Sequence, residues 1–204
     1  MEIKAPYLPY DVLREQAEAF LGQYHGSRTI PVPIEEIVEL QFQMDIVPEP
    51  GLHAHFDIDS YITADLTEIR IDEFVYESRP GRYRFSLAHE LGHRVLHKNV
   101  FAKLVFRSIA EWKQMIANAI PEREYGYLEF HAHSFAGLVL VPQCELANKY
   151  DEVCKLVEAH GVSLQHDSEV AQNLIAEYLA EFFVVSPAVV HKRLRYDGHW
   201  QNRD

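Results

Sequence analysis

Apolar residues recur at helical spacing along most of this chain, interrupted by one shorter stretch that alternates. From Tyr10 to Tyr24, Leu13, Ala17, Phe20 and Leu21 fall on one side of a helix. Ile30-Pro31-Val32-Pro33 reads as an extended connector, and Pro33 suits the first turn of a short helix carrying Ile34, Ile37, Val38 and Leu40. Residues 42–47 read as a strand. The pattern stays β from His53 to Tyr76: Phe56-Asp57-Ile58 and Tyr61-Ile62-Thr63 flank an Asp59-Ser60 turn, and Ile69-Arg70-Ile71 follows. Arg79-Pro80-Gly81 is expected to break the chain before a helix over 85–97, whose apolar face holds Phe85, Leu87, Ala88, Leu91, Val95 and Leu96. Further helices are predicted over 104–119, 124–140, 144–160, 168–183 and 188–196, with Pro121, Pro142, Gly161 and Pro187 near their ends. No internal repeat is visible. The pattern predicts an α+β fold, mostly helical, with a small, largely antiparallel sheet packed on the 85–97 helix. A main domain over 1–160 and a small C-terminal helical unit over 161–204 are expected.

The 85–97 helix carries His89-Glu90-Leu91-Gly92-His93, the HExxH pattern. Two histidines four apart on a helix sit one turn apart on the same face, so both imidazoles can reach one metal ion. Glu90 then lies near that ion, placed to take a proton from a water bound there. Zinc is the expected cofactor.

A catalytic zinc takes three protein ligands as a rule, so one is missing. The extended form HExxHxxGxxH requires Gly at 96 and His at 99, where this chain has Leu96 and Asn99. His97 continues the same face, but it lies about 12 Å along the axis from His89, too far for a straight helix to offer all three. It is expected to pack beside the ligands or hydrogen-bond one of them. The helix around Glu129 is the better source. Glu129, Ala132, His133 and Ala136 share one of its faces, and the alanines would let it approach the histidine helix closely. His131 points away from His133. Spacing alone leaves Glu129 and His133 both open as the third ligand.

Composition narrows the partners. The formal charge is −12, which leaves no electrostatic footprint for nucleic acid and opposes binding to anionic membranes. No apolar stretch is long enough to span a bilayer. The first residues lack the apolar core of a signal peptide, so a cytoplasmic location is expected. Cys144 and Cys154 have no CxxC pairing and are expected to be buried free thiols.

Two motifs taken together resemble a known family, the ImmA/IrrE-type zinc metallopeptidases. HELGHRVLH matches that family's HExxH helix, often continued to a further His. EFHAHSFAGLVLVP matches its downstream segment E-x-x-A-N-x-F-A-x-x-L-L-x-P at Glu129, Ala132, Phe135, Ala136, Leu140 and Pro142. The resemblance covers residues 30–145. It implies a zincin-like metallopeptidase domain with His89, His93 and Glu129 as zinc ligands and Glu90 as general base. The family's Asn position is His133 here. An oxyanion donor is also needed, for which His133, His97, Tyr125 and Tyr127 are candidates. The resemblance further implies site-specific cleavage of a protein substrate, a basic helix-turn-helix repressor, and no additional sensor or repressor domain on this chain. The rival reading is a zinc-stabilised regulator that binds a repressor without cutting it.

The stretch from Leu179 to Gly198 has a helix-turn-helix look of its own, with His191, Lys192, Arg193 and Arg195 on the second helix. A DNA-binding transcription factor is therefore a third reading. Residues 163–204 hold four Lys/Arg against six Asp/Glu, a balance that favours a structural or substrate-docking role over direct nucleic-acid binding.

Overall fold

The computed structural model describes residues 4–5, 7–164 and 168–200. Helix α1 (Tyr10–Tyr24) buries Leu13, Ala17, Phe20 and Leu21, the four residues its spacing picks out. After the connector, α2 (Ile34–Glu36) runs into a π-helical turn over Ile37–Gln41. Strand β1 (Asp45–Glu49) leads to the short helix α3 (Leu52–Phe56), then to strands β2 (Ser60–Ile62) and β3 (Glu68–Asp72). Helix α4 (Glu73–Ser78) follows at once because Asp72 caps it, its carboxylate accepting from the backbone N–H groups of Phe74 and Val75.

The sheet corrects two expectations. Phe56-Asp57-Ile58 is not a strand: Gly51 at φ 74° and Asp57 at φ 54° are both left-handed and bracket a helical turn. Nor is the sheet largely antiparallel. Its order is β1-β3-β2, with β1 parallel to β3 from Asp45↔Glu68 to Glu49↔Asp72, and β2 antiparallel to β3 through Tyr61↔Arg70. Alternation fixes which face a strand buries but carries nothing about its direction. Here α3 and β2 form the crossover that a parallel β1–β3 pair requires. Ser60, expected in a turn, begins the edge strand β2.

Helix α5 (Pro80–Leu96) starts five residues earlier than expected, with Pro80 in its first turn rather than breaking the chain. It is followed by α6 (Lys98–Phe101), which the pattern does not predict, and α7 (Ile109–Ala119). Then come α8 (Glu122–Leu140), α9 (Gln143–Ala159), α10 (Ser168–Phe183) and α11 (Pro187–Tyr196), close to the predicted spans. Among the described residues no single helix is long and apolar enough to cross a membrane; α10 and α11 reach that length only jointly, with a 108° bend between them.

Helix α5 packs most extensively on α8, and α1 covers another side of α8. The α5–α8 contact is close because small residues meet there. A Cβ on Gly92 would lie 3.1 Å from the Cα of Ala132 and 3.2 Å from the Phe135 ring, and Ala132 and Ala136 are fully buried. The C-terminal helices close the same assembly. Arg193, 3% exposed, donates to the Val141 carbonyl, the Tyr10 hydroxyl and Asp197, tying α11 to α1 and to the end of α8. The turn before α11 lies on the start of α5, where a Cβ on Gly81 would be 3.2 Å from the Val185 backbone. Both cysteines are free, but the expectation of burial fails: Cys144 is exposed and Cys154 half-buried.

Candidate metal centre

The α5–α8 contact sets the site. With Gly92 against Ala132, the face of α5 that carries His89 and His93 is held opposite Glu129 on α8. The Nε2 atoms of His89 and His93 are 3.2 Å apart. Glu129 turns one oxygen to each: Oε2 lies 3.3 Å from His89 Nε2 and Oε1 lies 3.5 Å from His93 Nε2. Ligands of a tetrahedral zinc at 2.0–2.2 Å are separated by about 3.3–3.5 Å, so these donor atoms fit such an ion. Among the described residues, His89, His93 and Glu129 form the only group of three such side chains able to hold a metal.

The electrostatics favour the same arrangement. Burial works against protonation of His89, but Glu129 and Glu90 outweigh it and raise its pKa. Burial likewise opposes ionisation of Glu129, and the two histidines outweigh it, holding the carboxylate well below its usual range. Imidazole and carboxylate thus attract one another in the absence of a cation, and a divalent cation would find an ionised carboxylate ready for it.

Glu90 is 5% exposed. Its Oε1 accepts a 2.7 Å hydrogen bond from Ser60 Oγ on the edge strand. Both residues line a cleft of about 720 Å³ that also contains His89, His93 and Glu129. The edge strand β2 forms one wall with Ser60, Tyr61 and Ile62; Phe101, Leu104 and Trp112 add apolar surface; Ser186, Ala188, Val189 and Lys192 contribute from the C-terminal turn and α11.

The remaining expected residues separate into two sets. His133 and Tyr125 line the cleft. His133 stands exposed at its rim, its ring 4.7 Å from that of Phe85 and 6.3 Å from that of His89. Partial desolvation, then the Lys192 ammonium and His89, push its pKa down to about 4. Burial raises the pKa of Tyr125, and the neighbouring Glu129 carboxylate raises it further; at neutral pH Tyr125 keeps its proton. His97 and Tyr127 do not face the cleft. Tyr127 accepts from Arg123 and lies against Tyr7.

His97 sits behind His93. Its Nδ1 is 3.0 Å from Nδ1 of His93, and its Nε2 is 3.2 Å from Nδ1 of His131. His131 Nε2 in turn accepts from the Leu8 backbone N–H at 2.9 Å. A row of three imidazoles therefore orients His93 so that its Nε2 faces the cleft. Burial, then the neighbouring His93 and His131, hold the pKa of His97 down at about 2, and burial lowers that of His131 to about 4. The part played by His131 is not visible from spacing, because its partner comes from the N-terminal segment. Ser60 also escapes spacing arguments, since a hydroxyl in a strand has no pattern of its own.

Comparison with known proteins agrees with this geometry. No protein of curated function matches the sequence. Eleven chains of solved structure match. One, described as a Mycobacterium tuberculosis transcriptional regulator, superposes with a TM-score of 0.57 at 17% identity, over 89% of this chain and 55% of that one. The present chain thus spans about half the length of that protein, and the likeness shows a shared fold. A family model, Peptidase_M78, described as the IrrE N-terminal-like domain, matches residues 75–195. The match includes both metal-centre helices and continues through α11, well past residue 160. With more than half its length matched, and with the HExxH helix and the Glu129 helix brought together as that resemblance implies, the chain belongs to the ImmA/IrrE-type family, the Peptidase_M78 proteins.

Proposed function

We propose that this protein is a zinc-dependent endopeptidase. The observation that carries the reading is the position of Glu90: a buried carboxylate beside the His89–His93–Glu129 group, oriented by Ser60 and open to the cleft. A purely structural metal site needs no such base.

Zinc bound by the three side chains would supply Lewis acidity and acidify a water. Glu90 accepts the proton of the attacking water and returns it to the leaving amine. Ser60 holds the Glu90 carboxylate during both transfers. The edge strand β2 accepts the substrate in extended form by strand addition, and Tyr125 or His133, both on the cleft wall, donates to the developing oxyanion. The substrate we propose is a helix-turn-helix repressor of net basic charge, which the −12 charge of this chain attracts at long range. The site of action we propose is the cytoplasm.

The test is incubation of the zinc-loaded protein with a candidate repressor, beside Glu90→Gln and a chelated sample. Cutting at one bond, abolished by both controls, is the expected result. Tight repressor binding that survives Glu90→Gln, with no cutting by any sample, would replace this reading with a regulator acting by contact.

A further inference from the structure

The basic residues of α11 divide between the interior and the surface. Arg193 is buried among Val141, Tyr10 and Asp197. The ring of His191 lies 4.9 Å from that of Trp200. Lys192 lines the cleft with Ser186, Ala188 and Val189.

Charges along the cleft make Lys192 stand out. The other cation on its wall, Arg82, is paired with Asp59. Glu90 and Glu129 belong to the metal centre. Lys192 is half-buried, and among the described residues it has no carboxylate partner; burial lowers its pKa with no acidic group to offset it. In a chain with 31 Asp/Glu against 19 Lys/Arg, an unpaired and partly desolvated ammonium is costly. Local rules broken in this way tend to coincide with functional positions. A groove continues outward from the cleft, sharing Ala188 and Lys192 and adding His191, Tyr196 and Arg195; Arg195 likewise forms no ion pair among the described residues. Helix α11 itself contains no Asp or Glu.

We propose that this wall is a substrate subsite for acidic side chains: a polypeptide in the cleft sets an Asp or Glu against Lys192 and runs on past Arg195. The proposal rests on the peptidase reading and refines it. A net-basic protein is drawn in by the acidic surface, and the bond that is cut is then selected by a local acidic residue. A DNA duplex fits this face poorly, because Ala188 and Val189 of the first turn line the cleft and Arg193 is inaccessible.

The test is digestion of a mixed peptide library by the zinc-loaded protein, with cut sites read by mass spectrometry. Asp and Glu should be enriched at one fixed position relative to the cut. Paired peptides with Glu or Gln there should differ in kcat/KM by on the order of tenfold. Lys192→Gln should remove that preference and Lys192→Glu should turn it toward Lys and Arg. Arg195→Glu, at an exposed position, should weaken an acidic preference one or more residues further along, and it serves if the Lys192 variants fail to fold. Cut sites with no acidic preference, or a preference that persists in Lys192→Gln and Arg195→Glu, would overturn the proposal. If wild type cuts nothing, the peptidase reading fails separately, and the subsite is read by binding. Rhodamine-labelled decapeptides, one Glu-rich and one with Gln in place of Glu, are titrated into zinc-loaded Glu90→Gln. Tighter, salt-sensitive binding of the acidic peptide that is lost on adding Arg195→Glu or Lys192→Gln supports the subsite. Equal binding of the two peptides, or salt-dependent binding of a DNA duplex in their place, overturns it.

Discussion

Ser60 Oγ donates a 2.7 Å hydrogen bond to Glu90 Oε1, joining the edge of the sheet to the glutamate of the HExxH helix. The strand proposed to receive the substrate therefore also fixes the carboxylate proposed to act on it. Removing the hydroxyl frees a buried carboxylate to leave its working position. Ser60→Ala should lower kcat by about tenfold, the range expected for a hydrogen bond to a charged group, with a much smaller change in KM. Ser60→Thr should restore most of the rate. Steady-state kinetics on any cleaved peptide decides it, and an unaltered kcat in Ser60→Ala would remove Ser60 from the machinery.

Gly92 sets how closely α5 and α8 approach. A methyl group there meets the backbone of Ala132 at 3.1 Å, and backbone cannot move aside as a flexible side chain can. Gly92→Ala should cost about 1–3 kcal/mol of stability. Because His89 and His93 lie on one of these helices and Glu129 on the other, zinc affinity should fall in the same variant. Calorimetric zinc titration at a temperature where the variant is folded separates the two effects.

Zinc should stabilise the fold. A ligand bound only by the folded state at 1,000 times its Kd contributes about 4 kcal/mol, so added zinc should raise the Tm and a chelator should reverse the rise. Glu129→Ala should abolish most of the zinc-dependent shift. A zinc-dependent Tm shift of full size in that variant would exclude Glu129 as a ligand.

The metal-free protein should lose stability as pH falls below 6.5. His97 has an unfolded pKa near 6.5 and a folded value near 2. Between those values the unfolded chain binds a proton that the folded chain refuses, at about 1.4 kcal/mol per pH unit. His131 adds to this down to about pH 4. His89 acts oppositely and in another window: its pKa is raised, so its contribution is complete below 6.5 and is lost as pH rises through the folded value. Denaturant unfolding between pH 4.5 and 6 should therefore show a shallower pH slope in His97→Leu than in wild type.

The helices were legible because their apolar residues recur at 3.6 spacing, and Ser168–Phe183 is predicted to the residue. The sheet was less so. Alternation at 53–58 suggested a strand, but left-handed turns at Gly51 and Asp57 impose a helix, and no single sequence reports backbone sign at an Asp. In the site, the spacing of His89 and His93 follows from one helix and could be read directly. Glu129 needed the downstream motif, since its distance from the histidines depends on the packing of two helices. Ser60, Leu8, His131 and Lys192 come from elements far apart in the chain, and only the fold places them near the centre. The helix-turn-helix look of the C-terminus arose from a real bend at Val184–Ser186, while the burial of Arg193 depends on Tyr10 and Asp197.

The cleft wall formed by Ser186 to Lys192 is made about sixty residues after Glu129. At about 5–20 residues per second of synthesis, several seconds separate the appearance of Glu129 from that of this wall. During that interval a nascent chain can carry His89, His93 and Glu129 beside an open-sided cleft. Because the wall is synthesised after the side chains it faces, the order of translation itself delays completion of the cleft.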